Sequence, residues 1–300
     1  MKALVISGGG SKGAFAGGVA QYLIKELDRD YDLYLGTSTG SLLISHLALN
    51  KTEKIQDVFT SVKQSDIFSN RPFLIKRKHG FDQISINHFN VFRNLLKGRK
   101  TFGESKNLRK LIEKTLSPEE FEKLKQSAKD IVVTVSNLSL NDVEYKSIKD
   151  FSYEDFCDWI WISGNYTPFM SLVQKEGCEY ADGGLGSMVP IEEAIKRGAT
   201  EIDAIILQTE VNYLNRMPSM NVFSLITTLF QFMLDRIEHQ NIKIGKFAAA
   251  NKDVIINFYY TPTVLTTNSL IFDEKKMKVW WKSGYDYAKL KNEEVNQIEI

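Results

Sequence analysis

Gly36-Thr37-Ser38-Thr39-Gly40 lies between two apolar runs, Tyr31-Asp32-Leu33-Tyr34-Leu35 and Leu42-Leu43-Ile44, and the order reads as strand, sharp turn, helix. A serine at the centre of G-x-S-x-G on such a turn is held in a strained backbone, its hydroxyl directed out of the sheet. The flanking glycines leave room for the bend. That is the geometry of a nucleophile elbow. The pentapeptide alone is not specific, because Gly and Ser collect in ordinary turns, so its meaning rests on its surroundings.

Upstream, Ala3 to Ser7 reads as a short apolar strand, and Gly8-Gly9-Gly10-Ser11-Lys12-Gly13 as a glycine-rich turn feeding a helix from about Ala14 to Leu27. Such a turn gathers backbone N–H groups at the positive end of a helix and suits a negative charge. Gly8, Gly10 and Gly13 also satisfy G-x-G-x-x-G, the dinucleotide fingerprint. That reading needs an acidic residue at the end of the second strand, where this chain has Leu35-Gly36-Thr37-Ser38; Asp28, Asp30 and Asp32 all come too early.

Downstream, Glu179-Tyr180-Ala181 reads as a short strand running into Asp182-Gly183-Gly184. An aspartate on a turn at a strand end is a candidate site residue, although Asp-Gly is also a common hairpin signal. Taken together the three stretches offer what acyl transfer to serine requires. Ser38 is the nucleophile, Asp182 a base to take its proton, and the Gly8, Gly9 and Gly10 amides are donors for the oxyanion. A histidine is the usual base, but His46, His79, His88 and His239 have no strand-end context. His46 lies two helical turns beyond Ser38, about 12 Å of rise. An aspartate can serve directly if burial raises its pKa.

The remaining pattern sets the frame. Helices are expected over 39–49, 53–61, 105–115, 118–127, 153–162, from Pro190 to Arg197, over 221–252 and over 278–291. Further strands are expected at Ile131–Val135, 143–148, Ala204–Gln208 and 254–260. Residues 63–101 form a polar-aromatic segment with two basic clusters, Arg71, Lys76, Arg77, Lys78 and Arg93, Lys97, Arg99, Lys100, threaded with Phe68, Phe73, Phe81, Phe89 and Phe92. It reads either as a lid facing anionic head groups or as a solvated insertion packed on the core. Val211 to Met220 reads as an exposed crossover. Phe223, Ile226, Leu229, Phe230, Met233, Leu234 and Ile237 form a stripe for the core or an acyl channel, and Trp280-Trp281 among lysines suits either a membrane interface or a packed helix.

Three hundred residues with 43% hydrophobic content suffice for one large domain, and a formal charge of +1 gives no field that would gather nucleic acid. Cys157 and Cys178 are too few for a disulfide framework, and the N-terminal apolar run is too short for a secretory signal. The expected location is cytoplasmic, with peripheral membrane contact left open. Residues 217–234, though nearly uncharged, are too interrupted by polar residues for a spanning helix.

These residues resemble the patatin-like phospholipases, serine lipid acyl hydrolases with a Ser-Asp dyad and no catalytic histidine. The glycine-rich oxyanion motif is similar to Gly8 to Gly13, the elbow to Gly36 to Gly40, and the Asp-Gly-Gly motif to Asp182-Gly183-Gly184, in the family's order. Ser163 to Pro168 resembles the family's small-residue segment near the dyad. The resemblance covers about residues 1–210. It implies a three-layer α/β/α fold with a mostly parallel central sheet, in one domain over 1–300 whose residues 211–300 form an extension packed on it. It also implies Ser38 as nucleophile, Asp182 as base, and Gly9 and Gly10 as the leading oxyanion donors. Lys12, Gly13, Gly36, Gly40, Gly183 and Gly184 support the motifs. The implied reaction is of phospholipase A or lysophospholipase type on phospholipid or other fatty-acyl esters, without metal or cofactor. Two positions depart from the family's pattern: Lys12 stands where arginine is frequent, and Met188 where an asparagine precedes the proline. Two other readings remain open: a CoA- or carrier-dependent acyltransferase, which needs a histidine base, and a non-catalytic lipid- or nucleotide-binding module.

Overall fold

The computed structural model describes residues 1–78, 81–211, 219 and 222–298. In chain order the first half contains β1 (Lys2–Ile6), α1 (Gly13–Lys25), β2 (Leu33–Thr37), α2 (Thr39–Ala48), α3 (Thr52–Ser61), α4 (Gln64–Ile67), β3 (Phe73–Lys78), β4 (Phe81–Ile86), α5 (His88–Leu96), α6 (Lys106–Thr115) and α7 (Pro118–Gln126). The second half adds β5 (Asp130–Asn137), β6 (Asp142–Ser147), α8 (Tyr153–Ser163), β7 (Val173–Lys175), β8 (Cys178–Asp182), α9 (Ile191–Lys196), β9 (Glu201–Ile206), α10 (Val222–Asn251), β10 (Ile255–Tyr260) and α11 (Glu274–Ile298).

The main sheet has the order β10-β9-β1-β2-β5-β8-β7, with β6 on the other edge of β5. From β10 to β5 every pairing is parallel, as expected for strands that are continuous apolar runs covered on both faces. Successive residues of each strand go to opposite layers. Leu4, Ile6, Tyr34, Ile131 and Val133 join the helices on one face, including α1, α2, α7 and α8. Ala3, Val5, Leu33, Leu35 and Val132 join α9 and α10 on the other. The expected three-layer α/β/α architecture is therefore the observed one, and β10 extends the same sheet with residues beyond 195.

One departure from parallel order positions the site. β6 runs antiparallel along Val132–Asn137 of β5 and so occupies one of its edges. On the other edge β2 runs parallel along Asp130–Thr134 and β8 antiparallel along Val135–Asn137. β2 and β8 therefore meet head on, each ending where the other ends. The C-terminal ends of β2 and β8 meet because β8 points the opposite way, a direction that its sequence does not encode.

Several local expectations are corrected. Residues 63–101, for which the pattern indicates no elements, fold into α4, the antiparallel hairpin β3–β4, and α5. Phe68 and Phe73 are buried, whereas Phe89 and Phe92 are exposed, so neither of the two readings of this segment holds throughout. Most of the expected crossover at Val211–Met220 lies outside the described residues. On α10 the expected apolar stripe divides, with Leu234 buried but Leu229 and Met233 exposed. No helix among the described residues is long and apolar enough to cross a membrane. Trp280 and Trp281 are both core residues, and the Trp281 indole N–H donates to Gln21 at 2.7 Å. That burial removes the interface reading of the pair.

α11 lies against α1 at a contact so close that a Cβ on Gly18 would stand 1.9 Å from the carbonyl oxygen of Trp281. Gly18→Ala is expected to destabilise the fold by about 1–3 kcal/mol through overpacking. Thermal unfolding followed by circular dichroism checks this, and an unchanged midpoint would refute the close helix contact.

Candidate active site

Ser38 sits at the N-cap of α2 with φ 54° and ψ −118°, a left-handed conformation that a non-glycine residue adopts at a cost of about 1–3 kcal/mol. The strain is held by close packing on both sides. A Cβ on Gly36 would lie 2.5 Å from the Gly40 carbonyl carbon, and one on Gly40 2.4 Å from the Ile6 carbonyl oxygen. Only glycines allow the elbow to sit down on β1. The Ser38 N–H donates to Ser163 Oγ at 2.9 Å, and the Thr37 hydroxyl to the Ser187 carbonyl at 2.9 Å, so the turn is tied from both flanks.

The Ser38 hydroxyl donates to Asp182 Oδ2 at 2.6 Å. Asp182 ends β8 and is buried, and its second oxygen accepts the Gly184 N–H at 2.8 Å. The two glycines that follow do not make a hairpin: Gly183–Leu185 is a single 3-10 turn whose N-terminus the Asp182 side chain caps. The Asp182 N–H donates to the Asn165 carbonyl at 3.0 Å. The segment beginning at Ser163 thus holds both the serine and the aspartate backbones. Burial pushes the Asp182 carboxyl up to about 7, against the Ser38 hydroxyl and Gly184 N–H bonds, which pull it down.

The glycine loop approaches from the end of β1. The Gly8 N–H donates to the Met188 carbonyl at 3.3 Å, which takes it out of the set of free donors. The Gly9 and Gly10 amides have no acceptor among the described residues, and Gly10 adopts φ 56°. Lys12 Nζ donates to the Leu207 carbonyl and pins the loop to the end of β9. Gly13 lets α1 pass α2, since a Cβ there would stand 2.4 Å from Thr39 Oγ1. Gly184 is packed against Met188, whose Cε would lie 2.8 Å from an added Cβ.

These groups open into one pocket. It is lined by apolar Leu42, Phe59, Ile67, Leu111, Leu116 and Ile160 and by polar Lys12, Gln208, Gln231, Glu238 and Ser269. Glu238 is buried, its Oε1 has no hydrogen-bond partner among the described residues, and burial pushes its carboxyl up to about 8 despite nearby Lys12. His46 is buried in the lining and held neutral, its pKa lowered to about 4 by burial and by Lys54. His88 and His239 are exposed, and His79 lies outside the described residues. Cys157 and Cys178 are unpaired.

The structure therefore brings together Ser38, Asp182 and Gly8 to Gly10, and places Lys12, Gly13, Gly36, Gly40, Gly183 and Gly184 around them. Sequence reading did not assign individual contacts to Ser163 and Asn165, although the segment was singled out. It missed Asn241 and Glu238 of α10 altogether. On a long amphipathic helix an isolated polar residue carries no positional signal until the helix is docked.

The fold resembles that of VipD from Legionella pneumophila, at 14% sequence identity and a TM-score of 0.50, over 96% of this chain and 66% of that one. This chain thus spans just under two thirds of that protein's length, and the likeness is one of fold. No curated protein matches the sequence. The family model for patatin-like phospholipases matches residues 4–195, a stretch that contains the glycine loop, the elbow and the Asp-Gly-Gly turn. This chain belongs to the patatin-like phospholipase family.

Proposed function

We propose that the protein is a serine lipid acyl hydrolase of phospholipase A or lysophospholipase type, acting through a Ser38–Asp182 dyad. The observation that carries the reading is the 2.6 Å hydrogen bond between a strained elbow serine and a buried aspartate, placed at an apolar pocket. Ser38 Oγ attacks the ester carbonyl carbon while its proton passes to Asp182 Oδ2. The carbonyl oxygen, now an anion, is received by the Gly9 and Gly10 amides. The ester bond breaks, and the leaving alkoxide takes the proton back from Asp182. Water then attacks the acyl-Ser38 ester, giving its proton to Asp182, and the fatty acid leaves as Ser38 is restored. The apolar lining of the pocket takes the acyl chain and the polar lining the head group.

The acyltransferase reading wants a histidine base, and the Ser38 hydroxyl is already engaged by Asp182. The binding-module reading leaves the strain at Ser38 without use. The hydrolase reading is favoured on both counts.

The lipid-facing surface also belongs to this proposal. α5 exposes Phe89 (74%), Phe92 (61%) and Leu96 (72%), with Arg93 and Lys97 beside them and no acidic residue in the helix. α10 exposes Leu225, Leu229 and Phe232 while Gln231, Leu234 and Glu238 of the same helix line the pocket. Both helices are anchored around Tyr166–Phe169. Phe230 of α10 makes an edge-on contact with Phe169 at 5.9 Å, and Thr101, which accepts from Asn94 of α5, adjoins Phe102 at 6.0 Å from the same ring. Apolar rings flanked by cations suit an anionic lipid surface.

A fluorophosphonate probe should label Ser38 in the wild type and not in Ser38→Ala, as read by peptide mass spectrometry. Asp182→Asn should lower turnover of a fatty-acyl ester by about 10²–10⁴-fold, the range for a lost general base. Labelling elsewhere, or an unaffected Asp182→Asn, would remove the dyad. Because Asp182 must be ionised to accept the proton, kcat/KM should rise with pH through a midpoint of about 7; a profile flat from pH 5 to 9 would speak against Asp182 as the base. Phe89→Ser with Phe92→Ser should weaken binding to vesicles containing phosphatidylglycerol by about tenfold or more, at about 1.5–3 kcal/mol per buried Phe. Hydrolysis of a soluble short-chain ester should stay unchanged, and undiminished flotation with the vesicles would rule this surface out.

A further inference from the structure

The family resemblance expects an asparagine in the loop after Asp182-Gly183-Gly184, and this chain has Met188 there. The structure supplies an asparagine from elsewhere. Asn241, on α10 and outside the matched residues 4–195, turns its Oδ1 onto two successive backbone N–H groups of that loop, Met188 at 2.7 Å and Val189 at 3.3 Å. One acceptor with two lone pairs satisfies two donors, so a single side chain ties the 188–189 part of the loop between β8 and α9 to α10.

That loop is where the three parts of the site are joined. The Met188 carbonyl accepts the Gly8 N–H at 3.3 Å, the Ser187 carbonyl accepts the Thr37 hydroxyl at 2.9 Å, and the Ser187 N–H donates to the Gly183 carbonyl at 2.8 Å. The Met188 side chain fills the space between the strands: its Sδ would lie 2.5 Å from a Cβ on Gly8, and its Cε 2.8 Å from one on Gly184. The glycine loop, the elbow and the aspartate turn all bear on residues 187–188, and those residues bear on Asn241.

We propose that Asn241 is a positioning residue for this site. Through the 187–189 loop it sets the register of the glycine loop, and so of the Gly9 and Gly10 amides, against Ser38. The proposal rests on the hydrolase reading above for its effect on turnover, but its structural half does not. Losing Oδ1 leaves two loop amides without their acceptor and frees the Met188 peptide to move, which misaligns the oxyanion donors while leaving the apolar pocket intact. Residues that orient metal ligands from outside the first coordination shell cost about 10–100-fold when removed, and a loss of the same order is expected for this loop support.

The test compares Asn241→Leu, which is of similar size and has no acceptor, with Asn241→Asp, which keeps it. Asn241→Leu is expected to lower kcat on a fatty-acyl p-nitrophenyl ester and the rate of Ser38 labelling by about 10–100-fold, with KM changed less than about threefold. Amide exchange in the peptide spanning Gly8 to Gly13 should be faster. Asn241→Asp is expected to restore slow exchange and to keep kcat within about threefold of wild type. A folded Asn241→Leu with wild-type kcat and exchange would overturn the proposal, as would an Asn241→Asp protein as impaired as Asn241→Leu. If Asn241→Leu does not fold, Asn241→Ser takes its place, being too short to reach the loop and adding no apolar bulk. If the wild type itself shows neither turnover nor labelling, the hydrolase reading fails alone. The exchange comparison then still decides whether Asn241 holds the glycine loop.

Discussion

The structure turns on the place where β2 and β8 share one edge of β5 and end against each other. The sheet register fixes Asp182 opposite Val135 and Thr37 opposite Thr134, the residue just before it on the same strand. Backbone hydrogen bonding therefore places Ser38 and Asp182 side by side, within reach of the 2.6 Å hydrogen bond between their side chains. A serine in a left-handed conformation and a carboxyl without solvent are both unfavourable alone. They persist because the central sheet, buried on both faces, determines the backbone around them.

The electrostatic consequence has a definite sign. Burial raises the folded-state pKa of Asp182 to about 7, above its ordinary value, so the folded protein holds this proton more tightly than the unfolded chain. The corresponding contribution to stability is present at low pH and is lost as the pH climbs from about 4 through 7. The same burial that makes the aspartate basic enough to take a proton from serine is therefore a burden on the fold at neutral pH. Glu238 behaves in the same direction, with its carboxyl pushed up to about 8 in the lining of the pocket. Two buried carboxyls near one pocket, one bonded to Ser38 and one with an oxygen unpartnered among the described residues, are the opposite of what a stability-only core would retain.

The elements beyond the family-matched stretch are built into the site. β9 and β10 extend the sheet, α11 seals α1 through the glycines at its crossing, and α10 contributes pocket lining, the proposed loop support and an exposed apolar face. Most of the polar groups that line the pocket, Gln208, Gln231, Glu238 and Ser269, come from these later residues.

Much was legible in the chain itself. The buried strands, the elbow, the glycine loop and the Asp-Gly-Gly turn each have a local physical signature, namely apolar runs of strand length and glycines where only glycine fits. Their order along the chain was enough to indicate the family. What the sequence could not carry was direction and distance. Nothing in Cys178–Asp182 says that β8 runs against its neighbours, yet that reversal brings Asp182 to Ser38. From its residues alone Gly8 was as good a donor as Gly9 and Gly10; the family resemblance ranked it behind them, and the Met188 carbonyl takes its amide. Trp280 and Trp281 looked as suited to a membrane as to a core until the structure buried both, Trp281 against Gly17 and Gly18 of α1. Asn241 was one polar residue on a long helix. Local pattern is fixed by short-range sterics and solvation, which a sequence displays directly. Which carbonyl meets which amide across 53 residues is fixed by the packing of whole elements, and only the tertiary structure decides it.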